Sequence, residues 1–538
     1  MIKSIQKVKS YLKTLGRFIG PGFMIAVGYL DPGNWATDME GGSSYGYRLL
    51  FIILLSNLIA VFLQNLTIRL GTISGLDLAS ASRRYFPRWL NLFLYVLAEC
   101  AIIATDIAEV IGSAIALNLL FPKLPLPAGV AITAVDVFII LMFYTEEADD
   151  PDSSATSDSA SVRMVRFFEM FVMMLVAAVG ICFIIELAYS DIVAVDVFKG
   201  FLPTKEIFTN PEILYVAIGI IGATVMPHNL YLHSFIVQSY LDTSLKRNLH
   251  YGFVDLIVAL SFAFFVNCAI LIVAAANFYY GPDTQQQQVQ DLFSAHALLM
   301  QYLGPPAAVT FALALLCAGQ SSTLTATLAG QVVMSGFLGM TTRPWIRRIV
   351  TRLIAIIPAM VAACVAGREG LSSMLVGSQV ALSIQLPFAV VPLVYFTARK
   401  QAMKLELVVQ AKNMDPDPVT VTQQEKMSLV DRTIARFRFS SSKSDWFRFP
   451  QFSKMNIDTV KNYCIKSDHA TDATGAANAG CQGTSAAVTP AIVVEEMDQW
   501  PEPLTYANGK IVNVVAVLIS LLLIGLNGYL VVSLFMSI

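Results

Sequence analysis

Apolar residues in this chain fall into long blocks with few charges inside them. Their windows predict eleven membrane-crossing helices, at 20–39, 47–69, 90–119, 128–144, 164–188, 212–239, 252–277, 306–338, 346–366, 371–397 and 510–536. Two blocks are interrupted in the same way, by Asp31-Pro32-Gly33-Asn34 in the first and Met226-Pro227-His228-Asn229 in the sixth. Each interruption reads x-Pro-x-Asn. Proline removes a backbone donor and clashes with the preceding turn, so both helices are expected to break there. Unwound backbone at membrane depth is tolerated where it is buried in protein or lines a cavity, and paired breaks mark the midplane binding site of a transporter. The first ten spans divide into two groups of five, 20–188 and 212–397, and the break recurs one half later. Because five is odd, the halves enter the membrane from opposite sides, which is the geometry of an inverted repeat.

Composition agrees with this picture and excludes a soluble domain. Of 538 residues, 56% are hydrophobic and 14% charged, with a mean hydropathy of +0.63, whereas soluble domains are about a quarter charged. The net charge of −2 is uninformative; the placement of charge is not. With residues 1–19 in the cytosol, 31 of the 36 Lys and Arg residues fall on the cytosolic side, leaving Arg48, Lys123, Lys199, Lys205 and Arg368 outside. The basic N-terminus leads straight into the Asp31 break without a small-residue cleavage site, so it reads as a retained first helix. Five cysteines lie in apolar spans, and the other two, Cys464 and Cys481, in a polar segment; no CxxC pair suggests a thiolate metal site or disulfide framework. Residues 399–505 read as a cytosolic, mostly disordered loop of mixed charge. That loop is where trafficking or ubiquitination partners are expected. Lipid is a partner by construction, and no nucleic-acid partner and no resident cofactor are expected.

The chemistry gathers at the breaks. A carboxylate at membrane depth is costly and is a functional hypothesis by default. Asp31 can face the cavity with freed carbonyls beside it, Asn34 adds a neutral oxygen one turn later, and Met226 offers a thioether. Sulfur is a poor ligand for Mg²⁺ or Ca²⁺ but acceptable to softer transition ions, so the set suits Mn²⁺ or Fe²⁺ and does little against Co²⁺ or Zn²⁺. A lone buried Met is ordinarily a gap-filler; the adjoining Pro and the matching Asp-bearing break point the other way. Glu99, Asp106 and Glu109 share one face of the third span. With His228, His233 and Arg352 they form either a proton relay or a static ion-pair network. Gln64, Gln320, Gln331 and Gln379 read as polar groups between helices.

At these residues the sequence resembles the natural-resistance-associated macrophage protein (Nramp) family of divalent-metal transporters. The likeness is carried by Gly20-Pro21-Gly22-Phe23, Tyr29-Leu30-Asp31-Pro32-Gly33-Asn34, the run from Met226 to Ser234, and the small-residue run from Ala318 to Gln331. It extends from about residue 16 to 400. The resemblance implies an all-α, LeuT-like fold of two inverted five-helix repeats with one further C-terminal span. It also implies proton-coupled import of Mn²⁺ and Fe²⁺ into the cytosol, both ions and protons being substrates. By motif position Asp31, Asn34 and Met226 are the implied side-chain ligands. The carbonyls of Gly28 and Ala223 are implied as alternating ligands, with Gln379 joining in the occluded state. Gly28 departs from the alanine usual there. Glu99, Asp106, Glu109, His228 and Arg352 are implied for the proton pathway, to which the reading of the residues adds His233, and Gln64 for a polar position near the metal route. The long loop and single terminal span give the look of a eukaryotic microbial member, with plasma, vacuolar and endosomal membranes all open.

Three rivals are weaker. An organic-solute transporter of the same fold would hold a carboxylate at half-helix N-termini, where a thioether serves no purpose and Asp31 repels. A non-transporting metal sensor or receptor should lack the ligands or carry a large folded cytosolic domain. An intramembrane metalloenzyme would need a His-Glu-x-x-His arrangement, and His228 and His233 are five apart.

Overall fold

The computed structural model describes residues 21–133, scattered residues of 174–187, and 193–240, 245–280, 291–302, 304–339, 344–403 and 506–537. The chain divides into two units, Met1–Glu406 with Pro503–Ile538, and Leu407–Glu502. The second lies outside the described residues, as does the expectation of disorder over 399–505 beyond Met403.

The first expected span is two half-helices, α1 (Pro21–Gly28) and α2 (Pro32–Tyr45), each with proline at its first position. It is followed by α3 (Leu50–Ser74), the short α4 (Leu78–Tyr85) and α5 (Arg88–Leu120). α3 stops where Gly75 takes a left-handed φ of 64°, and α4 starts where the Asp77 carboxylate accepts from Ser80 N at 2.8 Å. Two short helices, α6 (Ala194–Gly200) and α7 (Lys205–Thr209), precede the second broken span, α8 (Pro211–Thr224) and α9 (Pro227–Ile236). Then come α10 (Leu245–Ala274), α11 (Leu292–Tyr302), α12 (Pro305–Leu338), α13 (Pro344–Val365), α14 (Gly367–Ala398) and α15 (Lys510–Ser537). Helices therefore stand at nine of the eleven expected spans. The fourth is described only at its start, helical over 126–133, and the fifth only at scattered residues. Among the described residues there is no strand.

Both breaks lie at the centre of the packing, because glycines let helices approach them closely. A Cβ on Gly112 of α5 would collide with the Pro32 ring, and one on Gly222 of α8 would collide with the α14 backbone at Gln379 and Ser383. Close approach of this kind is how helices associate where no water drives them together. In the small-residue run from Ala318 to Gln331, Gly319 of α12 likewise abuts Ser113 and Pro32.

The two ends of the bundle sort the charges as the topology requires. At one end Arg48 meets Glu206 at 3.1 Å, Tyr47 stacks on Tyr280, and Arg368 of α14 bridges to Asp291. At the other, Arg69 donates to Tyr506 O at 3.0 Å, Arg83 donates to Ser335 O at 3.4 Å, and Asn508 N donates to Thr397 O at 2.9 Å.

Candidate functional site

The backbone at the two breaks follows from simple arithmetic. In a helix each carbonyl accepts from the N–H four residues on. For Gly28 that residue is Pro32, and for Ala223 it is Pro227, neither of which has an N–H. Each proline thus frees one carbonyl, and these are the two carbonyls that the resemblance implies as ligands.

Asp31 is the N-cap of α2, with φ −76° and ψ 168°. Its Oδ1 accepts from Asn34 N at 2.8 Å and from Asn34 Nδ2 at 2.9 Å. The same Nδ2 donates to Gly28 O at 3.3 Å and, across to the other broken helix, to Ala223 O at 3.0 Å. Three oxygens from two helices therefore converge on one electropositive group, in the manner of oxygens around a cation. Turning the Asn34 amide over exchanges its nitrogen for its oxygen at nearly the same point. Asp31 Oδ2 is fully buried and has no hydrogen-bond partner, and a buried carboxylate oxygen left so calls for an explanation.

Gln379 completes the enclosure. Its side chain lies against Gly33, where a Cβ would collide with the amide, while its own backbone lies against Gly222. It is fully buried, Nε2 donates to Ser378 Oγ at 3.2 Å, and Oε1 has no partner. Met226 is the N-cap of α9, its side chain making no capping bond. Its sulfur lies 3.7 Å from where a Cβ on Gly28 would stand. The structure thus brings together Gly28, Asp31, Asn34, Ala223, Met226 and Gln379 at the two breaks. The donors are a carboxylate, amides, carbonyls and a thioether, a set that fits Mn²⁺ or Fe²⁺ and is too soft for Mg²⁺.

The expected proton-pathway residues resolve into two clusters. In the first, Glu109 Oε2 accepts from Thr323 Oγ1 at 2.8 Å and lies 3.6 Å from Arg352 Nη1, with side-chain exposures of 0% and 3% for Glu109 and Arg352. His228 Nδ1 contacts Thr105 Oγ1 at 3.3 Å, and Asp106, next in sequence to Thr105, is fully buried. Glu99 stands on the same helix but is only half-buried. His233 belongs to the second cluster: its Nδ1 meets Gln64 Oε1 at 2.7 Å and Thr67 Oγ1 at 3.2 Å, and Gln64 Nε2 donates to Tyr29 OH at 3.2 Å. His233 and His228 thus have different contacts. Five residues apart on α9, the two rings point to different helices.

Several residues at the breaks were not singled out from the sequence. Asn267 of α10 donates to the Tyr29 carbonyl at 3.3 Å, and the Asp255 carboxylate accepts from Gly22 N at 2.7 Å at the start of α1. Asp38 of α2 is buried, with Oδ2 unpartnered. Asp38 and Asp255 each carried a signal, a carboxylate within an apolar span.

Comparison with known proteins decides the family. The model of the family described as natural resistance-associated macrophage protein-like matches residues 22–148 and 157–412. The chain belongs to the Nramp family. Among Nramp relatives, the divalent metal cation transporter MntH of Nostoc sp. is 50% identical over 399 residues, 73% of this chain and 86% of that protein. The manganese transporter SMF1 of Saccharomyces cerevisiae is 46% identical over 441 residues, covering 74% of each. A solved structure of a manganese transporter from Eremococcus coleocola aligns over 97% of this chain and 95% of its own, with a TM-score of 0.62 and 29% identity. The described residues of this Nramp protein are helical and free of strands, as the all-α polytopic fold expected from the sequence requires, and the relatives it matches are named transporters.

Proposed function

We propose that this Nramp protein is a proton-coupled secondary transporter that carries Mn²⁺ and Fe²⁺ into the cytosol by alternating access. The observation that carries the reading is the convergence of Asp31 Oδ1, Gly28 O and Ala223 O on a single amide nitrogen. Beside them lie the unpartnered acceptors Asp31 Oδ2 and Gln379 Oε1. Asp31 supplies the charge that a divalent ion needs on leaving water. Asn34, Met226 and Gln379 supply neutral donors, and the proline-freed carbonyls of Gly28 and Ala223 serve in turn as the half-helices shift. Asp106, Glu109, His228 and Arg352 carry the proton beside the site, Glu99 extends the route along α5, and His233 with Gln64 forms a polar wall on the opposite flank. A plasma, vacuolar or endosomal membrane with the N-terminus in the cytosol fits import from any of these compartments.

The test is uptake by the purified protein in liposomes under an imposed pH gradient, with Mn²⁺, Fe²⁺, Ca²⁺ and Mg²⁺ compared. Mn²⁺ and Fe²⁺ uptake stimulated by an inward proton gradient, with Ca²⁺ and Mg²⁺ excluded, is expected. Equal uptake of all four ions, or uptake indifferent to the gradient, overturns the reading.

A further inference from the structure

Asn34 and Asn229 hold equivalent places. Each is the third residue of its half-helix, after an N-cap residue, a proline and one other. Asn34 donates its amide to the side chain of its own N-cap, Asp31, at 2.9 Å. Asn229 does the same at the second break, where Nδ2 lies 3.6 Å from the Met226 sulfur. The relation also crosses between the breaks. Asn34 reaches Ala223 in the sixth span, and the Asn229 amide comes up against Gly28 in the first, where a Cβ would stand 2.8 Å from Nδ2. A contact of 2.8 Å is closer than carbon and nitrogen tolerate, so only glycine at residue 28 leaves the amide where it is. His228, Asn229 and Met226 are all buried.

A methionine side chain has three rotatable bonds and fixes its sulfur poorly unless something holds it. A thioether has two lone pairs. One engaged by the Asn229 N–H leaves the other with a set direction, as the Asp31–Asn34 pair leaves Oδ2. We propose that Asn229 is a positioning residue for the Met226 thioether and that Gly28 is the position that admits it. Together they set how strongly sulfur-preferring ions are favoured over Mn²⁺. The inference rests on the metal site proposed above and adds to it a determinant of selectivity.

The measurement is the ratio of Cd²⁺ to Mn²⁺ affinities by calorimetry on the purified full chain, Cd²⁺ being the ion that leans most on sulfur. Gly28→Ala should push the amide off the sulfur, and Asn229→Ala should remove it. Each should lower the preference for Cd²⁺ by about threefold, the scale of one modest hydrogen bond, with Mn²⁺ affinity changed less. General damage to the site would weaken both ions and leave the ratio where it was. The decisive arm is the double variant: once Asn229 is Ala, adding Gly28→Ala should not move the ratio further. A Gly28→Ala shift that persists in full in the Asn229→Ala background, or an unchanged ratio in both single variants, overturns the inference. Asp31→Ala in the same assay separates the two levels. If it leaves both ions bound as in the wild type, the metal site itself is wrong. If it abolishes both while the ratio never moves in the Asn229 and Gly28 variants, only the positioning role is wrong.

Discussion

Asp31 does two things with two oxygens. Oδ1 caps α2 through Asn34, and Oδ2 is buried without a partner. Asp31→Asn separates them, because asparagine caps a helix as well as aspartate does and carries no charge. The expected outcome is a monodisperse protein of near wild-type thermal stability whose Mn²⁺ affinity by calorimetry falls at least about a hundredfold, the cost of an uncompensated divalent ion out of water. Affinity near wild type would mean that Asp31 is there for the cap. Met226→Ala should act on selectivity instead. Mn²⁺ accepts water or a carbonyl in place of sulfur and so does Ca²⁺, so Ca²⁺ should compete with Mn²⁺ uptake about tenfold better while Cd²⁺ uptake weakens most. Unchanged Ca²⁺ competition with intact Cd²⁺ transport would return Met226 to packing. Much of this was legible in the sequence, since x-Pro-x-Asn repeated in two apolar spans points to both breaks before any coordinates. The same arithmetic names the carbonyls that the prolines free, Gly28 and Ala223; what was not legible is what the second asparagine touches. Asn229 gives the sequence reader the same signal as Asn34, but its partner is a sulfur, and only the distance to Gly28 shows why the two meet.

At the scale of elements, apolar windows located nine of the eleven spans among the described residues to within several residues, but did not sort the polar side chains between them. Glu99, Asp106 and Glu109 do share a face of α5, as their spacing requires. Burial then separates them, since Asp106 and Glu109 are enclosed by α9, α12 and α13 while Glu99 is half-exposed. Position just past the second break grouped His228 with His233, and helix rotation turns one toward Thr105 of α5 and the other toward Gln64 and Thr67 of α3. Sequence carries the face of a residue on its own helix and not the identity of the helix opposite. The same sorting yields a prediction about coupling. Asp106 and Glu109 stand three apart on one face of this helix. In the proposed mechanism, a divalent ion arriving at the breaks disfavours a proton there and drives it along this face. Asp106→Asn keeps the shape and cannot titrate. It should bind Mn²⁺ within about twofold of wild type, as a neutral isostere outside the ligand set should, yet lose the stimulation of uptake by an inward proton gradient. Metal and pH dyes in the same liposomes report both. An Asp106→Asn, Glu109→Gln double variant with wild-type proton flux would make this face a static support.

At the scale of the whole molecule, the ends of the bundle carry the topology. Arg48, Glu206, Asp291 and Arg368 gather at one end, and Arg69, Arg83 and the junction of Thr397 with Asn508 at the other. An odd number of crossings between Arg83 and Arg48 and between Arg368 and Arg399 produces this division, which counting apolar blocks anticipated. Coordinates alone say that there are two ends; the bias of Lys and Arg says which faces the cytosol. The end near Thr204 holds few basic residues, so it is expected on the far side of the membrane, and the end near Gly75 in the cytosol. Glycosylation tests this independently of the final membrane, because the acceptor is modified in the lumen during insertion. The native sequon Asn65-Leu66-Thr67 sits inside α3, where both Leu66 and Thr67 are buried, and is out of reach of the transferase. A flexible insert bearing Asn-x-Thr after Thr204 should therefore be the source of a glycan in a eukaryotic host, seen as an enzyme-sensitive mobility shift. The same insert after Gly75 should remain unmodified. Modification at Gly75 and not at Thr204 would invert the molecule in the membrane. Import would then become export from the cytosol, with the metal site, the half-helices and the proton face of α5 unchanged.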